Sequence, residues 1–468
     1  MRYYILLIIV LLQYNAALAQ PTGYVSECVE MTNIVFRLAD IPEYCCQYET
    51  QYIKDLDILM EKGKSHEVVQ FVRELRYSDQ KSFEILPKII ACLDTCNGAI
   101  EFRETVDLKM LQAELEDNGL QSNCTRFITL LNDFYNTSGF KQFFLEHSSY
   151  YQNIQDKFNK LIKQLGISWL PSFFDSEYRD TIIIVSPSNG PFNYVIPNLP
   201  DEQCQAFVII GNTRFDETGL PIYDEMTLFA TAHELMHVYT NPIADALYPV
   251  IQTAVTSIYS DTKGAINAAG YYSPEMMLRE WLNNLFAMQS LKPILDQDSF
   301  NLQLRILEGQ GFIYMDRSLD FLDNLIANNL DLLEQDLFIT YFAGHINFIA
   351  EHIVQIQNEI TYKHPYIVDV FPALNGLTDV KNVDQIIFKF SVPMLTNTYG
   401  YGHLQGVNNL FKIVKNATWH DEYTFVLVID YSKLNSGTEY GILLNRNSFQ
   451  SVYYYTLSED FIYKFKTT

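Results

Sequence analysis

From about Glu30 to Lys163 apolar residues recur at three- and four-residue spacing, as in Val68, Phe71, Val72 and Leu75 and again in Phe127, Leu130, Leu131 and Phe134. That spacing lines one face of a helix and predicts a helical N-terminal region. Residues 181–185 and 206–210 then read as short apolar strands on either side of a turn-rich Ser186-Pro187-Ser188-Asn189-Gly190-Pro191. Helical periodicity resumes at Asp224 and continues to about Ile360, with breaks near Pro242, Pro274 and Gly309-Gln310-Gly311. Proline disfavours helix in the residue before it, so Asn241-Pro242 is expected to end a first helix over 224–240. After His364-Pro365 the period becomes two. Ile386, Phe388 and Phe390 alternate with Ile387 and Lys389; Tyr423, Phe425, Leu427 and Ile429 follow the same rule, as do Phe461, Tyr463 and Phe465. About a hundred residues of short strands predict a β-sandwich with a domain boundary near residue 364.

The chain start changes the picture. Arg2 precedes an apolar run from Tyr3 to Leu12, about half the length of a membrane-crossing helix, and Ala17-Leu18-Ala19 supplies small residues at a signal-peptidase site. Residues 1–19 are therefore expected to be a signal peptide, with the mature protein exported: secreted, periplasmic or associated with the cell surface. No later run approaches eighteen consecutive apolar residues, so no transmembrane segment is expected. A formal charge of -24 and the lack of any basic run argue against nucleic acid as a partner. Export makes the seven cysteines readable as disulfide candidates. Cys92 and Cys96, at the spacing of one helical face, are out of disulfide reach unless the helix ends there, and buried free thiols are the competing reading. Asn-x-Ser/Thr sequons stand at Asn123, Asn136 and Asn416.

The chemistry concentrates in His233-Glu234-Leu235-Met236-His237, inside a helical context with no Gly or Pro before it. Histidines four apart on a helix share a face, so two imidazoles can reach one Zn²⁺ at about 2.0–2.1 Å. Glu234, displaced by one residue, is placed to take a proton from a water activated by the metal rather than to bind it. A catalytic zinc needs a third protein ligand and an open position. Position 243 is Ile243 and no histidine follows until His345, so a carboxylate on a following helix is expected. Glu280 is preferred, because a carboxylate among Leu278, Trp281, Leu282 and Leu285 is otherwise costly to bury; Asp245, Asp261 and Glu275 compete. Asn284 could accept a hydrogen bond from the far nitrogen of His233. Tyr271, Tyr272, Arg279 and Tyr239 are candidates for steadying negative charge in the transition state.

His233 to Pro242, with Ile41-Pro42-Glu43-Tyr44, Arg279-Glu280 and Gly311-Phe312-Ile313-Tyr314, resembles a family of exported bacterial proteins. That family is known as a domain of unknown function and treated as zinc metallopeptidases. The resemblance spans roughly residues 30–350. It implies a gluzincin-like site with His233, His237 and Glu280 on zinc and Glu234 as base. Phe371 to Val380, Phe388-Lys389-Phe390-Ser391-Val392-Pro393-Met394 and Phe461 to Phe465 are similar to bacterial Ig-like domains. The expectation is thus an α+β chain: a mainly helical zincin-like metallopeptidase domain over 20–362 with a small sheet, then an Ig-like β-sandwich over 365–468.

The function expected is a secreted zinc-dependent metallopeptidase acting on a peptide or protein substrate, with the Ig-like domain docking to a cell-surface or extracellular matrix partner. The alternative from another class is an extracellular adhesion or glycan-binding protein whose metal site is structural or vestigial. Glu234 favours the first, since a structural site has no need of a base.

Overall fold

The structure, a computed structural model, describes residues 22–45, 50–96, 98–166, 180–327, 335–379 and 383–468. The expected signal segment and Cys46 lie outside the described residues. The chain mixes helix and sheet, consistent with an α+β class. It divides into two compact units, the first comprising residues up to Gln252 with Ser273–Leu295 and Leu319–Gly344. The second holds Thr253–Tyr272, Asp296–Ser318 and His345–Thr468.

In the first unit, strand β1 (Gly23–Tyr24) leads into helix α1 (Glu27–Leu38), and α2 (Gln51–Gly63), α3 (Glu67–Ser78), α4 (Gln80–Glu84) and α5 (Leu86–Ala91) follow. A hairpin of β2 (Leu93–Cys96) and β3 (Ala99–Phe102) precedes α6 (Leu108–Asp117), α7 (Gln121–Thr137), α8 (Phe140–Glu146) and α9 (Ser148–Ile162). The apolar stripes read from the sequence are the buried faces of α3 and α7: Val68, Phe71, Val72 and Leu75, and Phe127, Leu130, Leu131 and Phe134, are all buried. Strands β4 (Asp180–Val185), β5 (Tyr194–Pro197) and β6 (Cys204–Ile210) join β1 in a sheet ordered β1-β4-β6-β5. β1, β4 and β6 run parallel, while β5 pairs antiparallel to β6 at the edge. β4 and β6 read as near-continuous apolar runs because a parallel sheet is covered on both faces. The four-residue β5, closing on Pro197, carries too little pattern to be found from sequence.

Next come α10 (Glu225–Ala268), α11 (Pro274–Leu291), α12 (Gln297–Gly309), α13 (Met315–Ala327) and α14 (Gln335–Lys363). The expected stop at Asn241-Pro242 does not occur, and α10 runs through both Pro242 and Pro249. An interior proline costs about 3 kcal/mol. Both prolines lie on the exposed face, where water can serve the carbonyls they orphan, while Ile243, Ala244, Leu247 and Ile251 bury the other face. Between α12 and α13, Gly311 has φ 105°, and a side chain there would meet Ile266 at 2.8 Å. In α14 the stretch Leu337–Lys363 is apolar enough in length and composition to cross a membrane. Its Phe338, Phe342, Ile346, Ile349 and Ile353 are nonetheless packed inside protein.

In the second unit two sheets share one core. One is ordered β12-β13-β9-β7, from Val414–Asp421, Thr424–Ile429, Gln385–Phe390 and Ile367–Phe371. The other is ordered β10-β14-β15-β8, from Tyr401–His403, Glu439–Leu444, Phe461–Thr467 and Leu377–Thr378, with β11 (Asn408–Asn409) on β14. Ile386, Phe388, Phe390, Phe425, Leu427, Ile442, Leu444, Tyr463 and Phe465 form that core, the inward members of the period-two pattern. The all-β stretch starts at Ile367, yet the compact unit that holds it also takes helical segments. Arg305 on α12 shows the attachment. It makes paired bonds to Asp316, at 3.0 and 2.8 Å, contacts Glu308, and stacks 4.7 Å over the Tyr455 ring.

Among the described cysteines Cys28, Cys92, Cys124 and Cys204 are free thiols and buried. Burial pushes the Cys28 and Cys92 thiols up to about 12, so they behave as small apolar groups. Cys92 caps α5 and Cys96 ends β2, so the two do not share a helical face. Of the sequons, Asn123 spends its amide on Asp79 and Ser82, Asn136 sits exposed on α7, and Asn416 is exposed on β12.

Candidate metal centre

The site lies in the first unit, on α10 and α11. Asp224 caps α10, accepting from Met226 N at 3.1 Å, and no Gly or Pro intervenes before His237. Ser273 caps α11, accepting from Met276 N at 3.1 Å, with Pro274 in the first turn, where its missing N–H costs nothing. Met277, Leu278, Trp281, Leu282, Leu285 and Phe286 are each fully buried, so polar side chains on the buried faces of α11 must find partners inside the protein.

His233, His237 and Glu280 each offer a ligand atom, and these atoms lie within 4.8 Å of one another; among the described residues they are the only such group of three. His233 Nε2 stands 3.2 Å from Glu280 Oε2, and His237 Nε2 stands 3.8 Å from Glu280 Oε1. Donors about 2.1 Å from a common tetrahedral centre stand about 3.4 Å apart, so the spacing fits a zinc-sized ion. The donor chemistry also fits, with two borderline-soft imidazoles and one carboxylate. Glu234 Oε2 is 3.9 Å from His237 Nε2 and lies outside the three-ligand group.

The far sides of both rings are engaged. Asn284 Oδ1 is 3.0 Å from His233 Nδ1, where it can accept the ring proton and leave Nε2 free to ligate. His237 Nδ1 has Asn241 Oδ1 at 3.3 Å and the Asn283 amide at 2.6 Å. Asn283 was not singled out from the sequence, since an amide on a helix carries no signature until the opposing ring is in place.

Electrostatics separate the roles. Burial pushes His233 down, but the Glu280 and Glu234 carboxylates outweigh it and the net direction is up. Burial and the neighbouring His233 bring His237 down to about 4, keeping its ring neutral. Burial raises the Glu234 carboxyl to about 7, with Glu280 adding to the rise and His233 opposing it. A buried carboxyl poised there is suited to exchanging protons near neutrality.

None of the other candidates belongs to the three-ligand group. Arg279 is tied to Asp245 at 2.8 Å and to Glu275 at 3.0 Å, which occupies all three of these residues in an ion-pair cluster. Asp261, Tyr271 and Tyr272 belong to the second unit; Tyr271 packs against Phe312, and Tyr272 is 70% exposed. Tyr239 is buried on α10. No family model and no curated protein matches this chain.

Proposed function

We propose that this protein is a zinc-dependent hydrolase of peptide bonds, with His233, His237 and Glu280 holding the metal and Glu234 acting as general base. The observation that carries the reading is a three-ligand group with a buried carboxyl, Glu234, beside it and outside it. Zinc held there supplies Lewis acidity, polarising a carbonyl oxygen and making an attacking water more acidic. Glu234 takes the proton of that water on its carboxylate and delivers it to the departing amine nitrogen, so one residue serves as base and then as acid. Asn284 at His233, and Asn241 and Asn283 at His237, keep the ligand rings oriented while this happens. The zincin-like reading of the first unit and the Ig-like reading of the sandwich belong to the same proposal, as does export. The sandwich contributes none of the four residues, which suits a docking role.

The test is Glu234→Gln, which keeps the side chain's shape and removes the base. Zinc content per chain should stay at the wild-type value while hydrolysis of a peptide library falls by at least about 10²–10⁴-fold. Unreduced hydrolysis at full zinc content would sink the assignment, and a wild-type chain that takes up no zinc would sink the whole reading.

A further inference from the structure

Helix α11 gives the centre more than its third ligand. Glu280, Asn283 and Asn284 stand at i, i+3 and i+4, so they share one face, turned toward the histidines of α10. Asn283 is 0% exposed and Asn284 2%, an unusual depth for amides. Asn284 Oδ1 meets His233 Nδ1 at 3.0 Å, while its Nδ2 is buried and has no hydrogen-bond partner. An unsatisfied buried donor costs about 1–3 kcal/mol. The carboxylate of aspartate would make the same bond to the ring without burying that donor, yet the position holds an amide.

Asn283 adds a second case. Its amide touches His237 Nδ1 at one end and Thr240 Oγ1 at the other. Thr240 spends its single hydroxyl proton on Met236 O at 2.9 Å. The amide oxygen therefore belongs on the His237 side, accepting Nδ1–H, with the NH₂ donating to Thr240 Oγ1. Both imidazoles then meet neutral amides from α11, and Asn241 Oδ1 of α10, 3.3 Å from His237 Nδ1, shares that ring proton with Asn283.

We propose that Asn283 and Asn284 are a pair of positioning residues that orient both histidine ligands without adding charge. This rests on the zinc reading above. Carboxylate partners raise the basicity of a ligating histidine and tighten the metal. Neutral amides leave a bound zinc with only Glu280 to offset its charge among protein ligands, a weaker hold and a more electrophilic ion. The centre is built to trade metal affinity for polarising power.

The test measures zinc affinity of the full-length protein by competition with a chromophoric chelator, and the visible absorption of the cobalt-loaded protein. Asn284→Leu, which keeps the branched four-atom skeleton but removes the hydrogen-bonding atoms, and Asn283→Leu should each weaken zinc binding about 10–100-fold and shift the cobalt bands as the rings lose their fixed orientation. Asn284→Asp should keep the wild-type band positions and bind zinc about 10–100-fold more tightly than wild type. If both leucine variants hold zinc as wild type does, the amides only fill the core and the proposal fails while the zinc reading stands. If Asn284→Asp binds no more tightly than wild type, the charge argument fails. A wild-type protein that binds no zinc overturns both readings. Should a leucine variant not fold, Asn284→Asp alone decides the charge argument, and the cobalt spectrum of Asn283→Asp decides the positioning of His237.

Discussion

Glu30 offers a measurement that is independent of any metal. It sits on α1 at 0% exposure, with Oε2 accepting from the Tyr52 hydroxyl at 2.7 Å and Oε1 from the Ser186 hydroxyl. Burial pushes its carboxyl from an ordinary 4.5 up to about 7, against the opposing pull of the bonds from Ser186 and Tyr52. Between those two values the folded protein holds a proton that the unfolded chain has released. Stability conferred by this group is therefore full below about pH 4.5 and is lost as pH rises toward 7. At about 1.36 kcal/mol per pH unit the loss is on the order of 3 kcal/mol. Glu30→Gln resembles the protonated acid in shape and stays neutral throughout, so it lacks this dependence. Urea unfolding of both proteins, followed by tryptophan fluorescence at pH 4.5 and 7.5, should show wild type losing about 3 kcal/mol relative to the variant at the higher pH. Parallel pH profiles, or a wild type that gains on the variant as pH rises, would refute the claim that burial dominates at Glu30.

Two further outcomes follow from the ion pairs. Glu280→Ala should abolish stoichiometric zinc retention through dialysis, whereas Glu275→Ala should leave it intact, because Glu275 is paired with Arg279 and stands outside the ligand group; elemental analysis distinguishes them. Arg305→Ala should destabilise the second unit by about 3–5 kcal/mol at neutral pH, since it strands Glu308, whose side chain is 5% exposed, without its cation; chemical denaturation reads this directly.

What could be read in advance tracks how local the determinant is. His233 and His237 are linked by helix geometry alone, so their shared face follows from spacing. The sandwich core is similarly local in origin, because the strand period of two assigns Phe388, Leu427 and Tyr463 to the interior one strand at a time. Glu280 needed a cost argument, that a carboxylate among fully buried neighbours wants a partner. Glu30 and Asn283 could not be found this way. Glu30 reads as an ordinary acid in the first turn of a helix, and only the tertiary fold brings Ser186, which is 156 residues away, onto its carboxyl.

The failed helix stop at Pro242 is tied to the site's construction. Had α10 ended at residue 240, His237 would stand in its last turn, where helices fray and ring positions loosen. Continuing past the proline places Ile243, Ala244 and Leu247, all buried, within the ten residues after His237. It also places Asp245 about 12 Å along the helix from His237, where it meets Arg279, the neighbour of Glu280. Of these two connections the apolar one decides the register. Arg279 and Asp245 are 37% and 52% exposed, and pairs so exposed contribute about 0–1 kcal/mol. Fully burying one leucine-sized side chain contributes about 1.5–3 kcal/mol, and several are buried here. The proline's cost is thus offset by the contacts that hold the second half of α10 in the core, and the histidine pair gains a continuous helix on both sides.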